Sequence, residues 1–361
     1  MLQTALHDWH AANGGRMVDF AGWSMPIQYS TITVEHAAVR ERVGLFDIAH
    51  MGRIIFTGPD AEKFLDRLLT NDVTRLRVGQ VRYSLVCNEQ GGILDDVLVY
   101  RFEDRYMLVV NASNRDKIVS WIEEHRGGFD VQVDDQTTTT FMFALQGPRS
   151  LDVLGPNASA DLGSMKYYTV LDAEVFGKKA TISRTGYTGE DGFEVIVSLA
   201  EGSEVWQSVL QSGAEADITP CGLGCRDTLR LEAAMPLYGH EMDERTDPLT
   251  AGLAFGVKMD AGEFFGNSAL KVISARTDLP VRVGLKLEGK RIAREGAIVR
   301  AENAEVGHIT SGTFSPTLNE VIAMAYVPGN LSQPGTAVEV DIRGKCVAAE
   351  VVALPFYRRQ K

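Results

Sequence analysis

The stretch Asn88-Glu89-Gln90-Gly91-Gly92-Ile93-Leu94-Asp95-Asp96-Val97-Leu98-Val99-Tyr100 joins two apolar runs through a glycine pair. Gly91-Gly92 reads as a hairpin turn, because glycine reaches the positive φ of such turns without steric cost. The runs on either side, Arg82 to Cys87 and Asp96 to Phe102, are rich in the Val, Leu and Tyr that suit a pleated surface. Asp95 and Asp96 then open the second strand, and adjacent strand residues face opposite ways. One carboxylate therefore points inward, where it is costly without a partner or a task. The pattern is equally that of a pair stabilising the turn, and both readings stay open.

Working outward, Arg53 to Thr57 and Tyr106 to Asn111 read as further strands. Asp60 can N-cap a helix carrying Phe64, Leu65, Leu68 and Leu69, and Ser113 or Asn114 can cap one with Ile118, Trp121 and Ile122 inward. A third helix runs through Val205, Trp206, Val209 and Leu210, and an early one through Ala38 to Arg42 ends near Gly44. Phe129 to Asp134, Thr137 to Leu145, Glu174 to Thr185 and Gly192 to Ser198 are strand-like. Strand, helix, several strands, helix, strands predicts an α+β fold with an antiparallel sheet, not a doubly wound one. Beyond Leu270 to Ala275 the helix signals fade. Short apolar runs broken by Gly and Pro over Val281 to Leu354 predict a small β-barrel, with a linker near 275–282.

The chain has 361 residues, 45% hydrophobic and 23% charged, values that predict two or three folded domains. Its formal net charge of −12 argues against a general nucleic-acid or anionic-lipid surface, both of which need a basic footprint. A few placed arginines can still make a local anion site. Cys87, Cys221, Cys225 and Cys346 lack paired spacing, so neither a disulfide framework nor a metal site is expected. No run approaches the roughly 18 apolar residues of a membrane span, and Met1 to His10 lacks a signal-peptide core. A cytoplasmic location is the expectation.

Two further segments carry chemistry. Thr185-Gly186-Tyr187-Thr188-Gly189-Glu190-Asp191-Gly192-Phe193-Glu194 is glycine-dense, which permits close backbone approach to a ligand or merely a tight hairpin loop. Glu194 opens the next apolar strand, where an inward carboxylate could pair with an amino-pyrimidine edge. Cys221-Gly222-Leu223-Gly224-Cys225-Arg226-Asp227 opens a helix with Gly-x-Gly but lacks the third glycine and the βαβ setting of a dinucleotide site. Arg226 there meets either an anionic ligand or neighbours such as Asp227 and Glu232. No nucleophile elbow, phosphate-binding lysine loop or paired-histidine zinc motif is present, so no bound nucleotide or metal is expected. His50, His240 and His308 read as structural.

Taken in order with Arg16 to Pro26, Gly44 to Gly52, Leu237 to Asp243 and Thr310 to Pro316, these segments resemble the glycine cleavage T-protein family over essentially the whole chain. The resemblance implies two ferredoxin-like domains and a C-terminal β-barrel arranged as a ring around a central folate channel. The implied domains are 1–50 plus 141–275, discontinuous and folate-binding; 51–140, inserted; and 276–361, the barrel. It implies an aminomethyltransferase that moves a methylene group from the aminomethylated lipoyl arm of the H-protein to tetrahydrofolate with release of ammonia, coupled to the P- and L-proteins. By the same pattern Asp95 is the catalytic carboxylate, Glu194 the pterin partner and Arg226 the folate arginine. Met51, Tyr83, Asn111, Tyr187 and Tyr238 would line the channel, with Arg358 at its mouth. Arg291, Arg294 and Arg358 are a candidate patch for the H-protein. Rival readings within the same fold are a folate-dependent demethylase and a non-enzymatic folate-binding protein. The latter carries a cysteine in the region matching Leu237 to Asp243, absent here.

Overall fold

A computed structural model describes residues 1–359. The hairpin expected at Gly91-Gly92 joins Val81–Cys87 to Ile93–Arg101. Tyr106–Val110, Gly52–Thr57 and Gln132–Asp135 complete a five-stranded antiparallel sheet. Ala61–Leu68 and Arg115–His125 cover one face, burying Phe64, Leu65, Leu68, Ile118 and Ile122 against Ile54, Phe56, Val97, Val99 and Leu108. Alternation along Ile93–Arg101 therefore places Asp95 on the helix-covered face with Val97 and Val99. Asp96, Leu98 and Tyr100 take the other.

Chain segments before and after this sheet share a second, six-stranded one. Its order is Val170–Val175, Lys178–Ser183, Gly192–Ser198, Thr140–Gln146, Gly44–Asp47 and Thr219–Pro220, with only the last pairing parallel. One face packs on Gly202–Ser212 and Ser150–Leu154 through Trp206, Val205, Phe141 and Phe143. The other meets the first sheet through Phe46, Met142 and Ala144 against Ile55, Tyr100, Met107 and Val109. Glu194 lies on that inter-sheet face, in register with Ala144.

Val281–Leu287, Glu320–Val327, Ala304–Ser315, Ile298–Ala301, Ala337–Asp341 and Cys346–Val352 close into a barrel packed mainly with Val, Leu and Ala. Two buried ionic knots tie it to helix Leu223–Glu232. Arg230 donates to Glu241 at 2.9 Å and to Ser311 at 2.8 Å. Glu232 receives Arg40 at 2.8 Å and His36 at 3.2 Å and accepts from Ser315 and Thr317. Burial alone would raise the Glu232 carboxyl, but His36 and Arg40 hold it down at about 2.

Three local expectations fail for identifiable reasons. Thr137 to Thr139 form a turn, because the buried Arg53 guanidinium takes the carbonyls of Thr137 and Thr140 and so bends the chain there. Glu174 to Thr185 is two strands around Phe176-Gly177, both at positive φ. The early helix through Ala38 is present as expected and starts at Ile32, capped by the Thr31 hydroxyl. Neither Asp60 nor Asn114 caps with its side chain.

Candidate functional site

Where the two sheets and the barrel converge lies a cavity of about 1340 Å³. That exceeds the usual 300–1,000 Å³ of a single small-molecule site and suits two reactants together. Asp96 lines it and Asp95 does not. Asp95 is fully buried behind the wall, accepting from Asn114 Nδ2 at 2.6 Å, Asn111 Nδ2 at 2.8 Å and the Asn111 amide at 2.9 Å. The Asn114 side chain is thus absorbed here instead of capping its helix. Asp96 accepts from Asn111 Nδ2 at 2.7 Å and from the Tyr83 hydroxyl at 3.2 Å. Burial, then the adjacent Asp96 charge, pushes Asp95 well above the ordinary carboxyl range, and burial pushes Asp96 up as well. The pair can hold and give up a proton near neutrality, which an isolated surface aspartate cannot.

On the facing sheet Glu194 lines the same cavity, only 7% exposed and bonded by the Thr185 hydroxyl. Burial raises its carboxyl, restrained by Thr185 and Arg226. Arg226 has no ion-pair partner among the described residues and lies over the Tyr187 ring at 4.8 Å. The neighbours that sequence offered it are taken. Asp227 bonds Arg230 at 2.8 Å, and Glu232 belongs to His36 and Arg40. Tyr187 donates to the Pro236 carbonyl, and Tyr238 to the Ile93 carbonyl at 3.1 Å while receiving Lys117 at 2.8 Å. Met51, Tyr83, Asn111, Tyr187, Glu194, Arg226 and Tyr238 are therefore brought together in the lining of one cavity.

Arg358 is exposed and stands outside the cavity lining, as does Arg291, whereas Arg294 lines it. His240 pairs with Glu295 at 3.0 Å and His308 is exposed beside Tyr326, so neither acts within the wall as an unpaired group. His50 departs from the structural reading: it lines the cavity with Nδ1 buried and unpartnered. Tyr168, at φ +63° in a loop, also lines the cavity, and no sequence signal marked it.

Comparison with known proteins bears on this arrangement. Residues 6–261 match the model of the GCVT N-terminal domain and residues 281–358 that of the glycine cleavage T-protein C-terminal barrel domain. The chain belongs to the glycine cleavage T-protein family. It is 48% identical over 365 residues to an aminomethyltransferase of Moorella thermoacetica, covering 100% of this chain and 99% of that protein. An aminomethyltransferase of Bacillus subtilis is 43% identical over 362 residues, covering 99% and 100%. The crystal structure of glycine cleavage system aminomethyltransferase T from Bartonella henselae superposes with a TM-score of 0.92 at 35% identity, over 99% of each chain.

In this chain the Gly-x-Gly pair serves packing. A Cβ on Gly222 would stand 2.4 Å from the Ile27 carbonyl carbon, and Gly224 donates its amide to the Ile27 carbonyl at 2.8 Å. Gly186 similarly abuts Gln146, whose Oε1 would lie 2.0 Å from an added Cβ. Those close approaches hold Arg226 and Tyr187 against the cavity. Among the described residues no cluster suited to a metal ion occurs, all four cysteines are free, and no helix is long and apolar enough to cross a membrane.

Proposed function

We propose that the chain is the tetrahydrofolate-dependent aminomethyltransferase of a glycine cleavage system. It takes the methylene group from the aminomethylated lipoyl arm of an H-protein, in a pathway shared with the P- and L-proteins. The supporting observation is one cavity, large enough for two reactants, that opposes a raised carboxyl pair to a buried carboxylate and an unpaired arginine. Asp96, rather than Asp95, is the group in contact with substrate. Glu194 faces the amino-pyrimidine edge of the pterin, and Arg226 the folate beyond it. Asp95 and Asn111 position Asp96. Arg294 faces the H-protein side, and Arg291 and Arg358 belong to the outer rim. The chain divides as 1–50 plus 141–275, 51–140 and 276–361. Its free thiols suit a reducing cytoplasm.

The reaction balances without an oxidant. The methylene carbon loses its bonds to the amine and to sulfur and gains bonds to two folate nitrogens. Each nitrogen gives up one proton, and these reach the leaving ammonia and the lipoyl thiolate. Asp96 can accept the first and stabilise the cationic carbon centre meanwhile. Juxtaposition of both reactants in a dry cavity supplies much of the rest and keeps water from the electrophilic carbon.

The test is ammonia release and methylenetetrahydrofolate formation from aminomethylated H-protein. Turnover supports the proposal. Folate binding without turnover refutes it and favours a demethylase or a binding protein.

A further inference from the structure

Glu194 meets the cavity with its two carboxyl oxygens in different states. Oε2 accepts from the Thr185 hydroxyl, whereas Oε1 has no hydrogen-bond partner among the described residues. Thr185 is itself buried at 1% exposure, and its hydroxyl lies 2.7 Å from that of Ser183. Ser183 is buried too, at the end of its strand and in register with Glu194. A hydroxyl carries one hydrogen. That of Thr185 is committed to the Glu194 carboxylate, so the 2.7 Å contact is a donation from Ser183 to Thr185. The other reach of Ser183, to the Glu194 carbonyl, is longer at 3.4 Å. Donors therefore run one way, from Ser183 to Thr185 to Glu194, and each bond polarises the next. Burial drives the Glu194 carboxyl toward its neutral form, and Thr185 first, then the Arg226 charge, oppose this. A neutral carboxyl would carry a hydrogen of its own and suit an amino-pyrimidine edge poorly, because that edge offers two N–H donors.

We propose that Ser183 and Thr185 are positioning residues for Glu194. Their hydroxyls fix one carboxyl oxygen, turn the other to the cavity and keep the group a pure acceptor for a paired N–H edge. Oε2 retains a second lone pair, so both oxygens serve that edge. This rests on the folate reading above and deepens it at Glu194. The other ionisable groups facing Glu194 are Arg226 from helix Leu223–Glu232, Tyr100 from the first sheet, and Tyr167 and Tyr168 from the loop before Val170–Val175. Burial raises all three tyrosine hydroxyls, so they stay neutral from pH 5 to 9. Asp96, on the opposite sheet, is common to every variant below.

Tetrahydrofolate binding is measured by calorimetry from pH 5 to 9 on the wild-type chain, Thr185→Val, Thr185→Ser and Ser183→Ala. Without the Thr185 hydroxyl the carboxyl takes up a proton at higher pH, so the acid limb of binding moves upward in Thr185→Val. Affinity on that limb falls about tenfold, the worth of one hydrogen bond to a charged group, and recovers toward pH 9. Thr185→Ser restores both, and Ser183→Ala moves the limb the same way by less. Weakening that is uniform in pH marks a merely structural role and overturns the proposal, as does unchanged binding. Should Thr185→Val fold poorly, carbon-13 NMR of the Glu194 carboxyl in ligand-free wild type and Ser183→Ala decides. A higher titration midpoint in the variant supports the hydroxyl chain, and equal midpoints refute it. Wild-type protein that binds no tetrahydrofolate refutes the folate reading instead, and the ligand-free titration still judges the hydroxyl chain.

Discussion

Replacing Asp96 by Asn keeps the shape of the site and removes its charge. The Asn111 amide can still donate to the remaining oxygen, a contact of 2.7 Å in the native chain, and the Tyr83 hydroxyl at 3.2 Å can turn. Folding should therefore be spared, and relief of repulsion between two buried carboxylates works in its favour. Positioned acid–base catalysis contributes about 10²–10⁴-fold, so kcat should fall by at least about 100-fold while KM for the folate changes by less than about threefold. Asp95→Asn is the paired measurement. It places an amide against the Asn111 and Asn114 donors at 2.6–2.9 Å, so it lowers kcat by disordering Asp96 and also lowers the melting temperature. The two differ in pH behaviour. Losing the neighbouring charge stabilises the ionised Asp96, so the acid limb of kcat moves to lower pH in Asp95→Asn. Steady-state ammonia release across pH 5–9 reads kcat, KM and the acid limb (a range chosen to bracket the raised pair), and thermal unfolding reads the melting temperature. An Asp96→Asn enzyme within about fivefold of wild type, or an acid limb moving upward in Asp95→Asn, would refute the assignment.

Glu232→Gln should flatten the acid side of the stability curve. The folded carboxyl is held at about 2 against a reference of 4.5, so its contribution is complete above pH 4.5 and fades as pH falls toward 2. That shift corresponds to about 3 kcal/mol by linkage, and urea midpoints at pH 7 and pH 3 measure it. A wild-type midpoint no more acid-sensitive than the variant's would show the knot to be inert. Glu194→Gln should weaken tetrahydrofolate binding about 10–100-fold, the range for one hydrogen bond to a charged group, and titration calorimetry checks it. Gly222→Ala should cost about 1–3 kcal/mol through overpacking on Ile27, where the new Cβ would lie 2.4 Å from backbone carbon. An unchanged melting temperature would mean that helix Leu223–Glu232 yields freely.

Much of the fold was legible because periodicity and turn chemistry agree with it. The Gly91-Gly92 hairpin, the apolar stripe of Phe64, Leu65 and Leu68, and the Val-rich barrel strands each report a local preference that packing reinforces. Which of two adjacent aspartates meets a ligand was not legible. Alternation separates Asp95 from Asp96, but both faces of their strand are covered, one by helix Arg115–His125 and the other by the inter-sheet space. Burial pattern alone therefore cannot rank them. What separates them in the structure is the destination of Asn114, which sequence assigns to a helix cap and the fold spends on Asp95. The Thr137 to Thr139 run behaves alike: its β-branched composition favours a strand, and the buried Arg53 overrides it. Arg226 shows the converse, a residue whose obvious partners Asp227 and Glu232 are both bonded elsewhere. In each case a side chain fails its nearest local role because a buried polar group claims it. A buried charge is costly to leave unpaired, whereas a helix start or a strand end can be solvated instead. Arg226, left without an ion-pair partner after that competition, lines the cavity, and so an unmet donor stands where a ligand can satisfy it.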